Sequence, residues 1–260
     1  MSIQDAPIRE DIQPMPGVWS IWFKNLVKSV NGVTTAITSA PLGFILFGDG
    51  SGIQTDSRLT FDGTLLNVGV SPDNASIDPT RGPVLNGTST VWNDINTSII
   101  PPAGLLASPT VIAFNGDARL DVYGFSGTNV TPDEIHSSLE VLHDYKEGTD
   151  IHFHFHWYPT NTTVANVKWQ FRYAWFNPGT IPPAGQTASV VVATSGVAWQ
   201  EQTSAIVLSG TGMKMGSRLV YTLFRDAQDA QDTYAFNAAV SDMGIHYEID
   251  TMGSREILVK

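Results

Sequence analysis

The stretch VKWQFRYAW, residues 167–175, alternates strictly between apolar and polar side chains. Its apolar members share one face of an extended chain: Val167, Trp169, Phe171, Tyr173 and Trp175. This period of two is typical of an antiparallel strand with one face on a core and the other on water or a partner. Similar runs, with Gly- and Pro-containing turns between them, occur at residues 151–158, 187–194, 217–224 and 245–250. They predict an antiparallel β-sandwich or jelly roll over residues 88–260.

The composition favours strands and turns over helices. Charged residues make up 15% of the chain, against about 25% in ordinary soluble domains, whereas Gly (23) and Pro (15) are plentiful. A formal net charge of -11 would repel a phosphate backbone, so we expect no nucleic-acid partner. The longest apolar stretch, residues 42–47, falls far short of the roughly 20 residues that span a bilayer, so we expect no membrane partner.

The N-terminal part has two segments of different character. Residues 1–17 contain three prolines without periodicity and are interpreted as an extended arm. Residues 18–40 are predicted to be helical, with a possible coiled-coil seam at spacings of four and three residues. The seam, which is the predicted oligomer interface, consists of Trp19, Phe23, Leu26, Val30, Val33 and Ile37. The alternative is an amphipathic helix that lies on its own domain, which Gly32 favours because glycine weakens helices.

Two further segments precede the large β-domain. Residues 41–70 hold short apolar runs separated by Gly- and Asp-rich turns and are predicted to form a small β-hairpin module. Residues 71–87 contain three prolines and no periodicity, so we interpret them as a linker. Within the β-domain, residues 132–142 could form a short helix, because Thr131 could cap it and Pro132 suits its first turn.

A row of histidines is the sharpest chemical feature. In residues 151–157, alternation places His152, His154 and His156 on one face, and His246 shares a face with Glu248 and Asp250 in the last strand. If the two strands were neighbours, these residues could form a patch with metal-ligand chemistry. We therefore name His152, His154, His156 and His246 as metal candidates, but expect no metal, since a polar strand face at a surface or subunit contact explains the pattern.

The histidine row also matches the opening of a cupin motif, Gly-x5-His-x-His, from Gly148 to His156. The match ends there, because Thr160 and Asn161 stand where a cupin needs glutamate. A cupin-like metalloenzyme is thus the weaker alternative. The sequence contains no Gly-x-Ser-x-Gly elbow, no Walker loop and no His-Glu-x-x-His. We expect no enzyme activity, no catalytic residue and no cofactor.

Two other patterns admit a functional and a structural interpretation. Asp226, Asp229 and Asp232 could form a calcium loop, but a solvated acidic turn is the commoner use of such spacing. Aromatic residues at 157–158 and 175–176 could stack against a sugar, as a receptor-binding tip requires. Most of these rings lie on apolar strand faces, however, which favours burial in a core or interface.

Residues 53–69, IQTDSRLTFDGTLLNVG, resemble the short β-modules of phage tail-fibre proteins. The C-terminal region resembles a family of uncharacterised phage structural proteins through four stretches: VWND (91–94), HDYKEGTD (143–150), HFHW (154–157) and IHYEIDTMGSRE (245–256). The resemblance implies a non-enzymatic virion component of a tailed bacteriophage: a tail fibre, head fibre or capsid decoration protein, assembled in the host cytoplasm. It further suggests a homotrimer whose N-terminal part contacts other virion proteins and whose jelly-roll-like domain projects outward. The alternative is a tip protein that binds a host surface glycan.

Overall fold

The computed structural model describes residues 44–48, 53–61, 64–102, 107–257 and 259. The chain divides into two compact units, Met1–Val70 and Ser71–Lys260. The predicted arm (1–17), the predicted helix (18–40) and its seam residues lie outside the described residues, so the coiled-coil interface stays a prediction. No helix among the described residues is long and apolar enough to cross a membrane.

The described residues of the first unit form three antiparallel strands in the segment predicted to be a β-module. Strand β1 (Phe44–Gly48) pairs with β2 (Ile53–Phe61), and β2 pairs with β3 (Leu66–Val70). Strand β1 covers an apolar run, whereas β2 continues through the polar residues 54–58.

The interpretation of residues 71–87 as a linker is wrong. They form a hairpin of β4 (Asp73–Asp78) and β5 (Gly82–Leu85), followed by a 3-10 turn at Gly87–Ser89. The Asp78 carboxylate holds the turn by accepting hydrogen bonds from the backbone of Thr80 (2.7 Å) and Arg81 (3.0 Å). The amide of Leu85 donates to the carbonyl of Asp250 at 2.7 Å, which ties the hairpin to the C-terminal end of the same unit.

Residues from Val91 onward confirm the prediction of a mainly β chain that ends in an antiparallel β-sandwich. One sheet has six strands: β6 (Val91–Thr97), β7 (Thr110–Phe114), β8 (Asp117–Phe125), β10 (Ile151–Pro159), β13 (Gln202–Leu208) and β15 (Ala238–Ile249). Its order is β13-β10-β15-β8-β7, and β6 also pairs with β15. The long β15 therefore pairs with β8 at its start and β6 at its end, while β10 flanks it throughout.

The second sheet has four strands in the order β12-β11-β14-β9. They are β9 (Glu134–Glu140), β11 (Asn166–Phe176), β12 (Gln186–Ala193) and β14 (Arg218–Arg225). The helix considered for residues 132–142 is thus a strand. The alternation with period two, and not the helix-capping signal, determines the structure here, because Ile135, Ser137 and Leu139 are buried against the core.

The core lies between the two sheets and is rich in aromatic rings. Phe153 of β10 stacks on Phe171 of β11 with ring centroids 4.0 Å apart. Trp169 of β11 meets Phe125 and Phe155 of the opposite sheet edge-on, each at 5.2 Å. The rings that alternate with the histidines of β10 therefore point inward, and the histidines point away from the core.

Five buried tyrosines should make the sandwich sensitive to alkali. Burial raises the pKa of each phenol, in the case of Tyr145 to about 12. Above pH of about 10 the unfolded chain loses protons that the folded chain keeps, so the free energy of unfolding falls as the pH rises toward the raised pKa of each tyrosine. The five are Tyr145, Tyr158, Tyr221, Tyr234 and Tyr247.

Denaturant midpoints measured from pH 8 to pH 11, together with tyrosinate absorbance, test this expectation. Tyr145→Phe should reduce the slope of the denaturant midpoint against pH. Ionisation of all tyrosines near their ordinary pKa without loss of structure would contradict it.

Candidate functional site

The outward side chains of β6, β10 and β15 form a polar surface on the six-stranded sheet, which we call the histidine face. Antiparallel pairing places His152 opposite His246, and His246 in turn opposite Asp94. His154 lies opposite Gly244, and His156 opposite Asp242. The two histidine-bearing strands, β10 and β15, are therefore neighbours, as the sequence-based hypothesis required.

His154 is the buried member of this face. It is 2% exposed, and its ring stacks on that of His246 with centroids 4.1 Å apart and planes 23° apart. Its Nδ1 atom has no hydrogen-bond partner, although buried polar atoms normally have one. Burial lowers the pKa of His154, and the neighbouring His246 lowers it further while Asp94 partly opposes the shift. The imidazole is thus held in its neutral form at neutral pH.

Asp94 faces both stacked rings. Its Oδ1 lies 3.8 Å from Nε2 of His154, and its Oδ2 lies 3.5 Å from Nε2 of His246. One side-chain ligand atom from each of the three residues lies within 4.8 Å of the other two. The three residues come from three different strands and form the one such metal-competent group found among the described residues.

The other two histidine candidates have different partners. The Nδ1 atom of His156 lies 3.0 Å from Oε1 of Glu201, and its Nε2 lies 3.8 Å from Oδ1 of Asp242. The ring of His152 packs edge-on against Trp92 with centroids 4.9 Å apart. Of the four candidates, the structure brings His154 and His246 together with a carboxylate and gives His152 and His156 other surroundings.

The acidic residues predicted to share the face with His246 do not join this group. Glu248 accepts hydrogen bonds from Lys146 and Thr90, each at 3.0 Å, and the bond from Lys146 lowers its pKa. Asp250 follows the last residue of β15. The carboxylate that does join, Asp94, could not be identified as a ligand from the sequence, because nothing local shows that β6 pairs with β15.

Trp92 is the exposed tryptophan of the histidine face. Its side chain lies next to His152, opposite Glu248 in the register, and the residue is 53% exposed. Three of the four aromatic residues suggested as a sugar-stacking site are buried instead, namely Trp157 (0%), Tyr158 (9%) and Trp175 (6%), and Phe176 is partly buried. Their use in the core agrees with the alternative that the sequence favoured.

The aspartates considered as a calcium loop already have partners. Asp232 binds the guanidinium of the buried Arg225, and Asp229 lies 2.5 Å from the ammonium of Lys168. Asp226 accepts a hydrogen bond from the side-chain amide of Gln170. These contacts make the stretch a structural loop that is held to β11 and β14.

No family model matches the chain, and no curated protein matches it. Among solved structures, the chain is similar to the enzymatically active domain of tailspike protein 4 of bacteriophage CBA120, with 10% identity, a TM-score of 0.31, and coverage of 61% of this chain and 19% of that chain. It is also similar to two carbohydrate-binding modules from Clostridium thermocellum. The family 35 module has 11% identity, a TM-score of 0.29, and coverage of 61% and 92%. The family 11 module has 10% identity, a TM-score of 0.28, and coverage of 82% and 99%.

Proposed function

We propose that the unit Ser71–Lys260 is a non-catalytic glycan-binding module whose binding surface is the histidine face. The observation that supports this proposal is the exposure of Trp92. A tryptophan ring normally buries about 150–250 Å² of surface, so a half-exposed ring on an ordered strand is costly unless a partner covers it. Trp157, Trp169 and Trp175, by contrast, are at most 6% exposed.

The surroundings of Trp92 suit a sugar better than an apolar ligand. The C–H face of a pyranose can stack on an indole ring, while its hydroxyl groups need nearby hydrogen-bonding side chains. Asp94 and Asn96 follow Trp92 on the same face of β6, and Glu248 lies across from it on β15. An exposed ring beside carboxylate, amide and imidazole groups provides both kinds of contact on one open surface.

The place of this module in a phage particle is part of the proposal and rests on the resemblance of residues 53–69 and 91–256 to phage structural proteins. In this arrangement Met1–Val70 attaches to other virion proteins, and the chain assembles into a homotrimer. The glycan-binding unit would then meet the host envelope. Absence of catalytic motifs from the sequence supports a binding role over a depolymerase.

Replacement of Trp92 by alanine tests the proposal. We expect the full chain to bind a bacterial envelope polysaccharide in a panel of such glycans, and Trp92→Ala to weaken that binding by about tenfold or more, as for a central aromatic contact. Leu120→Ala is the matched control, because Leu120 is 54% exposed and lies on another strand of the same sheet. Trp92→Phe should retain part of the affinity.

Two results would contradict this function. Wild-type protein that binds no polysaccharide of the panel would exclude it for those hosts' glycans. Undiminished binding by Trp92→Ala would show that the exposed ring serves another contact, such as a subunit interface.

A further inference from the structure

We propose that His154, His246 and Asp94 bind a divalent transition-metal ion of the Zn²⁺ type on the histidine face. The inference goes beyond glycan binding and does not depend on it. Each ligand comes from a different strand of the six-stranded sheet, namely β10, β15 and β6. The site is therefore built by strand pairing, which fixes the backbone of all three ligands.

Glycine at position 244 helps to make room for this arrangement. Gly244 lies directly opposite His154 on β15 and opposite Asn96 on β6. A Cβ atom at position 244 would come within 2.4 Å of the carbonyl oxygen of Ile95, so only glycine lets β6 approach β15 so closely. This close approach keeps Asp94 of β6 within reach of both rings.

The spacing of the ligand atoms is near that of a metal site. Tetrahedral zinc with bonds of about 2.0–2.1 Å places neighbouring ligand atoms about 3.3–3.4 Å apart. The distance from Oδ2 of Asp94 to Nε2 of His246 (3.5 Å) and that from Oδ1 to Nε2 of His154 (3.8 Å) exceed this by a few tenths of an ångström, and all ligand atoms of the group lie within 4.8 Å of one another. Both distances are also too long for a hydrogen bond between the same groups. The spacing therefore leaves room for an ion between the three side chains once they adjust.

His154 is the buried member of the three proposed ligands. The side chain is almost fully buried, and its Nδ1 atom has no hydrogen-bond partner in the part of the chain that the structure describes, whereas Nε2 is the nitrogen that faces Asp94. Its carboxylate neighbour is exposed and would supply negative charge to the ion.

One rearrangement accompanies binding. Imidazole lone pairs lie in the ring plane, and the two stacked planes are 23° apart, so one ring must turn for both nitrogens to point at the same ion. The side chain of His246 is 47% exposed and can turn, whereas His154 is held by burial. The fourth position of the ion would face outward past Asp94 and His246, and water would fill it.

The donor set selects the class of ion. Two imidazoles and one carboxylate suit Zn²⁺, Co²⁺, Ni²⁺ or Cu²⁺, whereas Mg²⁺ and Ca²⁺ prefer oxygen ligands throughout. His156 stays outside the set because Glu201 lies against its Nδ1 atom.

Calorimetric titration of the full chain with ZnCl₂ alone, after removal of metal with chelator, tests this site. We expect one Zn²⁺ to bind per chain with micromolar or tighter affinity. With Co²⁺ in its place, we expect a visible absorption spectrum typical of nitrogen and oxygen ligands. His246→Ala and Asp94→Asn should each weaken binding at least about tenfold. Both side chains are exposed, so neither variant should prevent folding.

Two histidine variants are matched controls. His152→Ala removes the imidazole directly opposite His246, and His136→Ala removes one from the other sheet. Both should bind Zn²⁺ as wild type does. Lack of stoichiometric Zn²⁺ binding in wild type, or equal binding by Asp94→Asn and His246→Ala, would overturn the proposal. Glycan binding measured in chelator is scored separately, so the failure of either proposal leaves the other testable.

Discussion

Replacement of Arg225 by methionine should lower the free energy of unfolding by about 3–5 kcal/mol, because it leaves the buried carboxylate of Asp232 without its counter-charge. The side chains of the pair are 0% and 1% exposed. The guanidinium donates from Nε and Nη2 to the two carboxylate oxygens at 2.9 and 2.7 Å. It also donates to the backbone carbonyls of Phe125, Tyr234 and Phe236.

These bonds join three segments of the large unit. Arg225 ends β14 of the four-stranded sheet, Phe125 ends β8 of the six-stranded sheet, and Tyr234 and Phe236 precede β15. Methionine can fill much of the same volume but supplies none of the five donors. Loss of the arginine therefore leaves three carbonyls and one carboxylate to find new partners in a closed space.

Arg218→Met is the matched control. Arg218 begins the same strand and pairs with Glu140 at 3.2 Å, but the two side chains are 57% and 47% exposed. Exposed pairs contribute about 0–1 kcal/mol, so this change should be nearly neutral. Urea unfolding followed by near-ultraviolet circular dichroism measures both variants. Equal effects of the two substitutions would show that the buried pair is not the anchor that its contacts indicate.

The sequence predicts the strands well wherever an alternating face is buried. Residues 167–175 and 151–157 give the correct face for every side chain, because half of each strand packs against the core. Residues 134–140 alternate equally, yet the capping pattern at Thr131 and Pro132 suggested a helix. The carboxylate of Asp133 instead accepts hydrogen bonds from Ser126 and Asn129 and closes the preceding loop.

The hairpin in residues 71–87 was missed because its strands are short and most of their residues are exposed or only partly buried, so no periodicity distinguishes them from a linker. What identifies the turn is Asp78 followed four residues later by Gly82, which has a φ of 79°. A side-chain acceptor at the start of a turn and a glycine with positive φ at its end are typical turn chemistry.

The histidine face was predicted in part. Alternation alone shows that His152, His154 and His156 share a side, but register decides which histidine meets which carboxylate. Asp94 is 60 residues from His154 along the chain, and their contact depends on β15 pairing with both β6 and β10. For Asp226, Asp229 and Asp232 the local sequence suggested a site that the fold does not form. Their spacing suggests a calcium loop, but their carboxylates bind side chains of β11 and β14 instead.

Replacement of Trp169 by alanine should also cost about 3–5 kcal/mol, since a large buried side chain leaves a cavity that a rigid sandwich fills poorly. Trp169 is 0% exposed and contacts Phe125, Phe155 and Trp157 of the opposite sheet. It is thus a direct packing link between the two sheets, and its loss removes contacts on both sides.

A pair of phenylalanine variants separates packing from hydrogen bonding. Trp169→Phe and Trp157→Phe remove the same atoms from equally buried positions. The indole N–H of Trp157 donates to Oγ of Ser204 at 2.9 Å, whereas that of Trp169 has no partner. Trp157→Phe should therefore be the more destabilising of the two by about 1 kcal/mol, because it strands a buried hydroxyl. Urea unfolding of the three variants measures these differences. If Trp169→Ala lowered the free energy of unfolding less than Trp169→Phe does, the two sheets would have closed over the cavity. The indole of Trp169 would then not be the packing link between the sheets that its contacts indicate.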